Sequence, residues 1–233
     1  QDQMKNIDLN LLLHPKALKT VLVLKVIELF SANTPNGKKI SIMLEEIGYD
    51  YKVTKVDINN GEQFEEGFKK ISPLSKIPVI IDHKNNQTVF ESGAILIYLA
   101  EQSKKFYNQE DRLQINQWLM AQMGYIGPML GQHHQFHHYN SGKSKFGEDR
   151  YFRISKRIYN ELDERLSVSK FLSGEKYTIA DIATFPWIAR HEWHDIGLAK
   201  FKNLSRWYCE ISNREAVIKG FSFMDKGEFP PKP

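Results

Sequence analysis

Cysteine is almost absent from this chain, because Cys209 is the only one among 233 residues. A single cysteine allows neither an internal disulfide nor a Cys-x-x-Cys redox motif, so we expect a reducing, cytoplasmic compartment. Any thiol chemistry must therefore use the sulfur of a bound molecule. Long apolar stretches are also absent, and without the roughly 20 apolar residues that a membrane span needs we expect no membrane partner.

Clustered charge of one sign is missing as well. The 32 lysines and arginines slightly outnumber the 28 aspartates and glutamates, but they form no basic run that would follow a phosphate backbone. We expect no nucleic-acid partner, whereas a mildly basic chain favours anionic small molecules. Residues 1–25 are interpreted as a leucine-rich, soluble N-terminal arm, since His14, Lys16 and Lys19 interrupt it and argue against a signal peptide.

The first half of the chain, residues 26–103, alternates strand-like with helix-like segments, as α/β units do. Val26 to Phe30 is a compact apolar run suited to a buried strand. Ile40, Met43 and Ile47 then recur at helical spacing, and Gly48 follows as the expected C-cap. Further strands are predicted at 51–58, 78–81 and 88–90, and further helices at 64–70 and 92–102.

The second half, residues 111–233, follows a polar linker at 104–110 and shows no strand pattern. A long amphipathic helix is predicted from apolar positions at helical spacing, namely Tyr151, Ile154, Ile158, Tyr159, Leu162 and Leu166. The predicted fold class is therefore α/β plus all-α, with a small α/β domain followed by an all-helical domain.

Three separated segments of the first half are suited to ligand binding. At Thr34-Pro35-Asn36-Gly37 a strand gives way to a helix whose free N–H groups would stabilise a thiolate, although an ordinary N-cap turn is the commoner meaning. At Lys76-Ile77-Pro78 a proline opens a strand; an edge strand is the default, and a cis bond facing a peptide-like ligand is the alternative. At Glu91-Ser92 the choice lies between simple capping of the next helix and an anion site at its N-terminus.

Four runs together resemble the glutathione transferase family, and within it the Nu-class branch of bacterial disulfide-bond reductases related to a yeast nitrogen regulator. They are Thr34-Pro35-Asn36-Gly37-Lys38-Lys39-Ile40, Lys76-Ile77-Pro78, Phe90-Glu91-Ser92-Gly93-Ala94-Ile95 and Gly127-Pro128-Met129-Leu130-Gly131-Gln132. The resemblance implies an N-terminal thioredoxin-like, glutathione-binding domain followed by a C-terminal all-helical glutathione transferase domain.

The resemblance also implies site residues. Thr34 and Asn36 would lie beside the glutathione sulfur as the catalytic pair. The remaining contacts to the tripeptide would come from Gln63 at the glycyl end, Lys76, Ile77 beside cis-Pro78 at the cysteinyl unit, Glu91 with Ser92 at the γ-glutamyl group, and Arg150.

The activity that the resemblance implies is disulfide reduction by the thiolate of bound glutathione, with one or two glutathione molecules per subunit. Weaker conjugation to electrophiles is expected as a side activity, and the protein is expected to be a homodimer. The alternative is a non-enzymatic binding or regulatory module, because one fold can serve both purposes.

Four histidines, His133, His134, His137 and His138, form two i, i+4 pairs, a spacing at which a helix can offer two ligands to zinc. No acidic residue or cysteine accompanies them in the sequence as a third ligand. We therefore expect no metal site, and we expect these histidines and Phe136 to line the pocket wall over the sulfur or to contact solvent.

Two further features favour structural roles. Thr178 and Asp181 have the spacing of an N-capping box, which we prefer to a catalytic acid. Cys209 lies beside Trp207 and Tyr208 in an apolar helical stretch and is expected to be packed rather than reactive.

Overall fold

The computed structural model describes residues 27–233, so the predicted arm and Val26 lie outside the described residues. The first half contains four strands and three helices: β1 (Ile27–Ser31), α1 (Pro35–Ile47), β2 (Tyr51–Lys55), α2 (Glu66–Lys69), β3 (Val79–Asp82), β4 (Gln87–Phe90) and α3 (Ser92–Ser103). A 3-10 turn, Glu62–Phe64, precedes α2. Gly48 ends α1 in the left-handed conformation, with φ of 75°, and so confirms the predicted C-cap.

The four strands form one mixed sheet in the order β2-β1-β3-β4. β1 pairs in parallel with β2 and antiparallel with β3, and β3 pairs antiparallel with β4. β1 and β3 are therefore central, which explains why Ile27, Leu29, Val79 and Ile80 are fully buried. The arrangement is the thioredoxin-like sheet that the resemblance implied.

The second half is helical, as predicted. It contains α4 (Arg112–Ala121), α5 (Gly127–His134), α6 (Lys145–Ser167), α7 (Ile179–Ile188), α8 (Lys202–Ser212) and α9 (Glu215–Phe221), and π-helical turns at Gln122–Ile126 and Gln135–Tyr139 flank α5. α6 is the predicted amphipathic helix, and its apolar positions from Ile158 to Leu166 are buried. Among residues 27–233, no helix is both long and apolar enough to cross a membrane.

The two halves share one hydrophobic core that extends from the sheet to α7, α8 and α9. α1 lies at its centre and packs against α9 and α7 as well as against α3. Arg214, at the start of α9, donates two hydrogen bonds of 2.6 and 2.8 Å to the buried carboxylate of Glu46 in α1. The shared core and the Arg214–Glu46 ion pair therefore hold the two halves in a fixed relative position.

The second strand is shorter than predicted and ends at Lys55 rather than Ile58. The Asp57 carboxylate accepts hydrogen bonds from the backbone N–H groups of Asn59 and Asn60, at 3.1 and 3.2 Å, and these bonds close a turn. The helix predicted at 64–70 is also shorter, because the chain forms a 3-10 turn first and begins α2 only at Glu66.

Candidate active site

A cavity of about 740 Å³ lies between the two halves, a size typical of small-molecule sites. The first half contributes the start of α1, the loop before β3 and the start of α3, and the helical half contributes both π-helical turns, α5 and α7. Of the predicted site residues, the cavity wall includes Thr34, Asn36, Gln63, Lys76, Ile77, Glu91 and Ser92. Segments that are distant in sequence thus meet at one site.

Thr34 and Asn36 lie at the N-terminus of α1, which points into the cavity. Thr34 is the N-cap residue, and its Oγ1 accepts a hydrogen bond of 3.2 Å from the Gly37 N–H. The hydroxyl hydrogen of Thr34 is not used in that bond and can be donated to a ligand. The positive end of the α1 dipole favours negative charge at the same point.

The Asn36 amide is oriented by Trp187 of α7. The indole Nε1 is only a donor, and it donates a hydrogen bond of 3.0 Å to Asn36 Oδ1. The amide nitrogen of Asn36 makes no hydrogen bond within residues 27–233, so its two hydrogens are available to a ligand. Trp187 is a site residue that the sequence reasoning missed, because 151 positions separate it from Asn36.

The glycine-rich run at the start of α5 makes room for this indole. A Cβ atom on Gly127 would lie 2.7 Å from Gln122 Nε2 and 3.3 Å from Trp187 Nε1, and one on Gly131 would lie 3.3 Å from the Trp187 ring. Without side chains at these two positions, α5 can pack directly against Trp187. The run 127–132, which resembled the family in the helical half, therefore helps to position the Trp187 indole.

The Ile77-Pro78 bond is cis, as the resemblance implied. The default prediction of an edge strand was wrong, because β3 follows Pro78 directly and pairs with strands on both sides. Ser72 fixes the loop ahead of the bond: its Oγ donates to the Lys76 carbonyl at 2.7 Å and accepts from the Lys76 N–H at 3.0 Å. No hydrogen bond within residues 27–233 engages the main chain of Ile77.

Gln63 and Glu91 present further polar groups to the cavity. Gln63 Nε2 donates to the Ile58 carbonyl at 3.2 Å, while Gln63 Oε1 is buried and has no partner among the described residues. Glu91 adopts a φ of 69°, a region that residues other than glycine rarely occupy. Such strain is often found at ligand sites.

Ser92 does not cap α3, so the simple capping interpretation was wrong. Glu91 is the N-cap residue, without a side-chain bond, and Ser92 is the first helical residue. Ser92 Oγ instead accepts a hydrogen bond of 3.3 Å from Lys39 Nζ. The hydroxyl therefore belongs to a buried polar group beside the cavity.

Lys39 is at the centre of that polar group, and the sequence analysis did not predict it as a site residue. It lies in α1, is 1% exposed, and donates a hydrogen bond of 2.7 Å to Gln122 Oε1. Burial lowers the pKa of Lys39 to about 7, although the nearby Glu91 carboxylate opposes the change. The cavity wall thus contains a lysine that titrates near neutral pH.

His134 and Trp187 of the cavity wall belong to a stack of aromatic rings that also includes His194. His134 lies nearly parallel to His194, with ring centroids 4.8 Å apart, and to Trp187 at 6.0 Å. Burial lowers the pKa of His134 to about 3, so this ring is neutral at physiological pH. Tyr159 supports the stack through a 2.7 Å hydrogen bond between its hydroxyl and His194 Nδ1.

Only part of the predicted histidine wall is present. His134 lines the cavity, whereas His133, His137 and His138 do not. Phe136 also lies outside the cavity wall and stacks on Tyr151 at 5.1 Å. The expectation that no acidic residue accompanies the histidines was wrong, because the fold brings Asp195 to within 3.1 Å of His133.

Arg150 and Pro78 are not among the cavity-lining residues. The Arg150 guanidinium lies 5.9 Å from the Tyr151 ring, on α6, and the structure does not bring it to the other predicted contacts. Pro78 is buried. A direct contact between Arg150 and a ligand remains a prediction.

Comparison with protein families matches both halves of the chain. Residues 25–101 match the glutathione S-transferase N-terminal domain, and residues 130–215 match the glutathione S-transferase C-terminal domain. The two matches together cover more than half of the sequence.

Characterised relatives include the disulfide-bond oxidoreductase YfcG of Escherichia coli (strain K12). It is 42% identical over 199 residues, which cover 82% of this chain and 93% of that protein. The transcriptional regulator URE2 of Saccharomyces cerevisiae is 31% identical over 232 residues, covering 80% of this chain and 65% of the regulator.

Solved structures with the same fold contain glutathione. A glutathione transferase from Burkholderia graminis, with two glutathione molecules bound per subunit, is 37% identical with a TM-score of 0.80, and the match covers 90% of this chain and 93% of that one. A glutathione transferase from Pseudomonas putida, with one glutathione disulfide per subunit, is 40% identical with a TM-score of 0.80, covering 87% and 94%.

Proposed function

The chain belongs to the glutathione S-transferase family, and from this premise we propose that it is a glutathione-dependent disulfide-bond oxidoreductase with weaker transferase activity toward electrophiles. One observation carries the proposal: the Thr34 hydroxyl and the Asn36 amide converge at the N-terminus of α1 inside the cavity. The similarity to YfcG supports the reaction type, and the two similar structures support glutathione as the bound thiol.

The residues of the cavity fit a tripeptide thiol. The unengaged main chain of Ile77 can pair with a peptide unit, and the buried Gln63 Oε1 can accept a hydrogen bond from a ligand N–H. Glu91 and the α3 N-terminus suit an ammonium and a carboxylate on one amino-acid unit. We therefore assign Gln63, Lys76, Ile77, Glu91 and Ser92 to glutathione binding, as the family resemblance implied.

Thr34 and Asn36 would be the protein's own contribution to catalysis, because they would stabilise the sulfur anion of the bound thiol. Both are donors placed where a sulfur anion would also meet the positive end of the α1 dipole. Hydrogen bonds to the anion and the dipole lower the pKa of a bound thiol and raise the fraction present as the reactive thiolate. The protein then needs no cysteine of its own, which agrees with Cys209 lying outside the cavity wall.

Glutathione supplies the nucleophilic thiolate, which attacks one sulfur of a disulfide, forms a mixed disulfide with it and releases the other sulfur as a thiolate. The thiolate of a second glutathione then attacks the glutathione sulfur of the mixed disulfide, which forms glutathione disulfide and releases the second substrate thiolate. The cavity wall would hold the first tripeptide along the side formed by the start of α1, the loop before β3 and the start of α3. The opposite side, formed by Gln132, Gln135 and Tyr139, offers polar groups to the incoming partner. We propose a Nu-class mechanism on this basis.

The test is reduction of a small glutathione mixed disulfide between pH 6 and 9, together with glutathione affinity. Thr34→Ala loses one hydrogen bond to a charged sulfur, worth about 1.5–3 kcal/mol, so turnover at pH 7 should fall roughly ten- to a hundredfold. The loss should shrink above pH 8.5 or so, where a free thiol ionises without help. Binding should be reduced much less than turnover.

Thr34→Ser is the matched control, because it keeps both the helix cap and the hydroxyl and should retain most of the activity. Asn36→Ala should resemble Thr34→Ala. If Thr34→Ala and Asn36→Ala weaken binding and turnover equally, these residues hold the ligand without activating it.

A second candidate function is a binding or regulatory module, which the similarity to the transcriptional regulator URE2 favours. The two functions share the glutathione cavity and differ in turnover. Wild-type protein that binds glutathione but does not accelerate disulfide reduction would support the regulatory module.

A homodimer and a cytoplasmic location are further proposals. Leu113 and Met120 lie seven residues apart on one face of α4, and both are exposed, so a second copy can bury them. Light scattering should then give about twice the chain mass of 27.2 kDa. The single cysteine suits the reducing cytoplasm.

A further inference from the structure

A cluster of side chains outside the glutathione cavity has the composition of a metal site. His133 of α5, His137 of the following π-helical turn and Asp195 of the segment between α7 and α8 each place one possible ligand atom within 4.8 Å of the others. We propose that these three residues bind a divalent transition-metal ion, with zinc as the best match. The proposal does not depend on the proposed function.

The cluster is already partly assembled. His133 Nε2 lies 3.1 Å from Asp195 Oδ2. The His137 ring stacks on the His133 ring with centroids 4.1 Å apart and planes 19° apart, so His137 must rotate before both rings can face one ion. Zinc–ligand bonds of 2.0–2.2 Å in a tetrahedron place ligand atoms about 3.3 Å apart, so ligand atoms as far apart as 4.8 Å must approach each other by about 1.5 Å. Asp195 is 46% exposed and His137 is half-buried, so these two side chains can move toward the fixed, fully buried His133.

Hydrogen bonding within the protein leaves this cluster incomplete. The Nδ1 atoms of His133 and His137 are buried and have no hydrogen-bond partner within residues 27–233. Buried polar atoms usually have partners, and the orphaned His137 Nδ1 is a free imidazole nitrogen that can bind a metal ion. His133 would bind the same ion through Nε2, the nitrogen that faces Asp195, and its Nδ1 would not take part.

His138 is close to the cluster but does not belong to it. Its Nε2 lies 2.6 Å from the Trp193 carbonyl, and a carbonyl oxygen can only accept, so this nitrogen carries a hydrogen. A protonated nitrogen cannot bind a metal. His138 instead holds the backbone next to Asp195 in place, although its Nε2 is also 3.5 Å from Asp195 Oδ2.

The ligand set indicates which ion binds. Two imidazoles and one carboxylate are ligands that suit zinc and neighbouring transition metals, whereas Ca²⁺ and Mg²⁺ prefer oxygen ligands alone. Three protein ligands leave the fourth position of a zinc tetrahedron to water. Bound zinc would join the π-helical turn Gln135–Tyr139 to the segment that carries Asp195, next to the cavity wall.

The test is zinc binding by the full chain without a histidine tag, in glutathione-free buffer after treatment with a chelator. Calorimetry with ZnCl₂ should show one ion per subunit with micromolar or tighter affinity, and Co²⁺ should give the visible absorption of a tetrahedral complex. His137→Gln and Asp195→Asn should each weaken binding roughly a hundredfold. Both positions are partly exposed, and circular dichroism should show that both variants remain folded.

Two control variants should bind zinc like the wild type. His83→Ala removes a histidine whose Nε2 lies 3.4 Å from Glu28, a histidine–carboxylate pair that is not part of this cluster. Cys209→Ser removes the single thiol. The proposal is overturned if the wild type binds only at millimolar zinc, or if His137→Gln and Asp195→Asn both retain wild-type affinity.

Discussion

Trp187 Nε1 donates a 3.0 Å hydrogen bond to Asn36 Oδ1 and thereby connects the helical half to the proposed catalytic residue of the first half. The bond determines which end of the Asn36 amide faces the cavity, because the indole can contact only the oxygen. A helical-domain residue that need not touch the substrate can thus control the donor aimed at the sulfur. Trp187 is a positioning residue in this sense.

Trp187→Phe tests this control. Phenylalanine keeps an aromatic ring beside Gly131 and His134 but has no donor, so the Asn36 amide can rotate. We expect turnover to fall about two- to tenfold, the effect of one neutral hydrogen bond, with little change in glutathione KM. Trp118→Phe, in α4 and outside the cavity wall, is the control and should leave kcat unchanged. A fall in binding alone would show that Trp187 acts only through packing.

Lys39 should make ligand binding depend on pH. Its pKa is about 7 in the free protein, and an anionic ligand favours the charged form. The charged fraction is lost as pH rises through 7, so affinity for S-methylglutathione should fall severalfold between pH 6 and 8.5. This ligand has no free thiol, so thiol ionisation does not contribute.

Lys39→Met should bind S-methylglutathione more weakly at pH 6 and with little pH dependence, as calorimetry can measure. Lys38→Met is the matched control, since the Lys38 ammonium pairs with Glu228 and does not line the cavity. If the affinity of the wild type for S-methylglutathione does not change with pH, the charge of Lys39 does not contribute to ligand binding.

Asp181→Asn should destabilise the fold. The buried Asp181 carboxylate accepts hydrogen bonds from the N–H groups of Leu172 and Thr178, the Thr178 hydroxyl and Trp207 Nε1, at 2.9–3.1 Å. All four partners are donors, so the NH₂ group of asparagine would face donors and leave them unsatisfied. We expect a loss of about 2–4 kcal/mol in the free energy of unfolding, measured by urea denaturation.

Asp163→Asn is the control for Asp181→Asn, because Asp163 also accepts from backbone N–H groups but is partly exposed, and it should cost less. Folded Asp181→Asn should keep its turnover. Normal stability with lost turnover would reassign Asp181 to catalysis.

Cys209→Ser should retain full disulfide reductase activity. Cys209 is half-buried in α8 and does not line the cavity, and the proposed mechanism uses the sulfur of glutathione. The measurement is the rate of mixed-disulfide reduction at pH 7. Loss of activity in a folded Cys209→Ser protein is incompatible with the mechanism.

Features that depend on neighbouring residues were predictable from the sequence. The capping box of Thr178 and Asp181 and the Gly48 C-cap were predicted and are confirmed, since each involves bonds within about four residues. The amphipathic pattern of α6 was predictable for the same reason, because helical periodicity is itself a local property. The order of strands and helices in the first half was also predicted, but a turn ended β2 early and a 3-10 turn delayed the start of α2.

The partners of side chains from distant segments were decided by tertiary structure alone. Asn36 and Trp187 are 151 residues apart, Lys39 and Gln122 are 83 apart, and His133 and Asp195 are 62 apart. No local pattern marks these pairs, because each depends on how whole helices pack around the shared core. The sequence alone therefore determined the strand and helix order of the first half, the caps at Gly48 and Thr178, and the family. Packing of distant segments determined which amide hydrogens face the cavity, which lysine is buried and which carboxylate contacts the histidines.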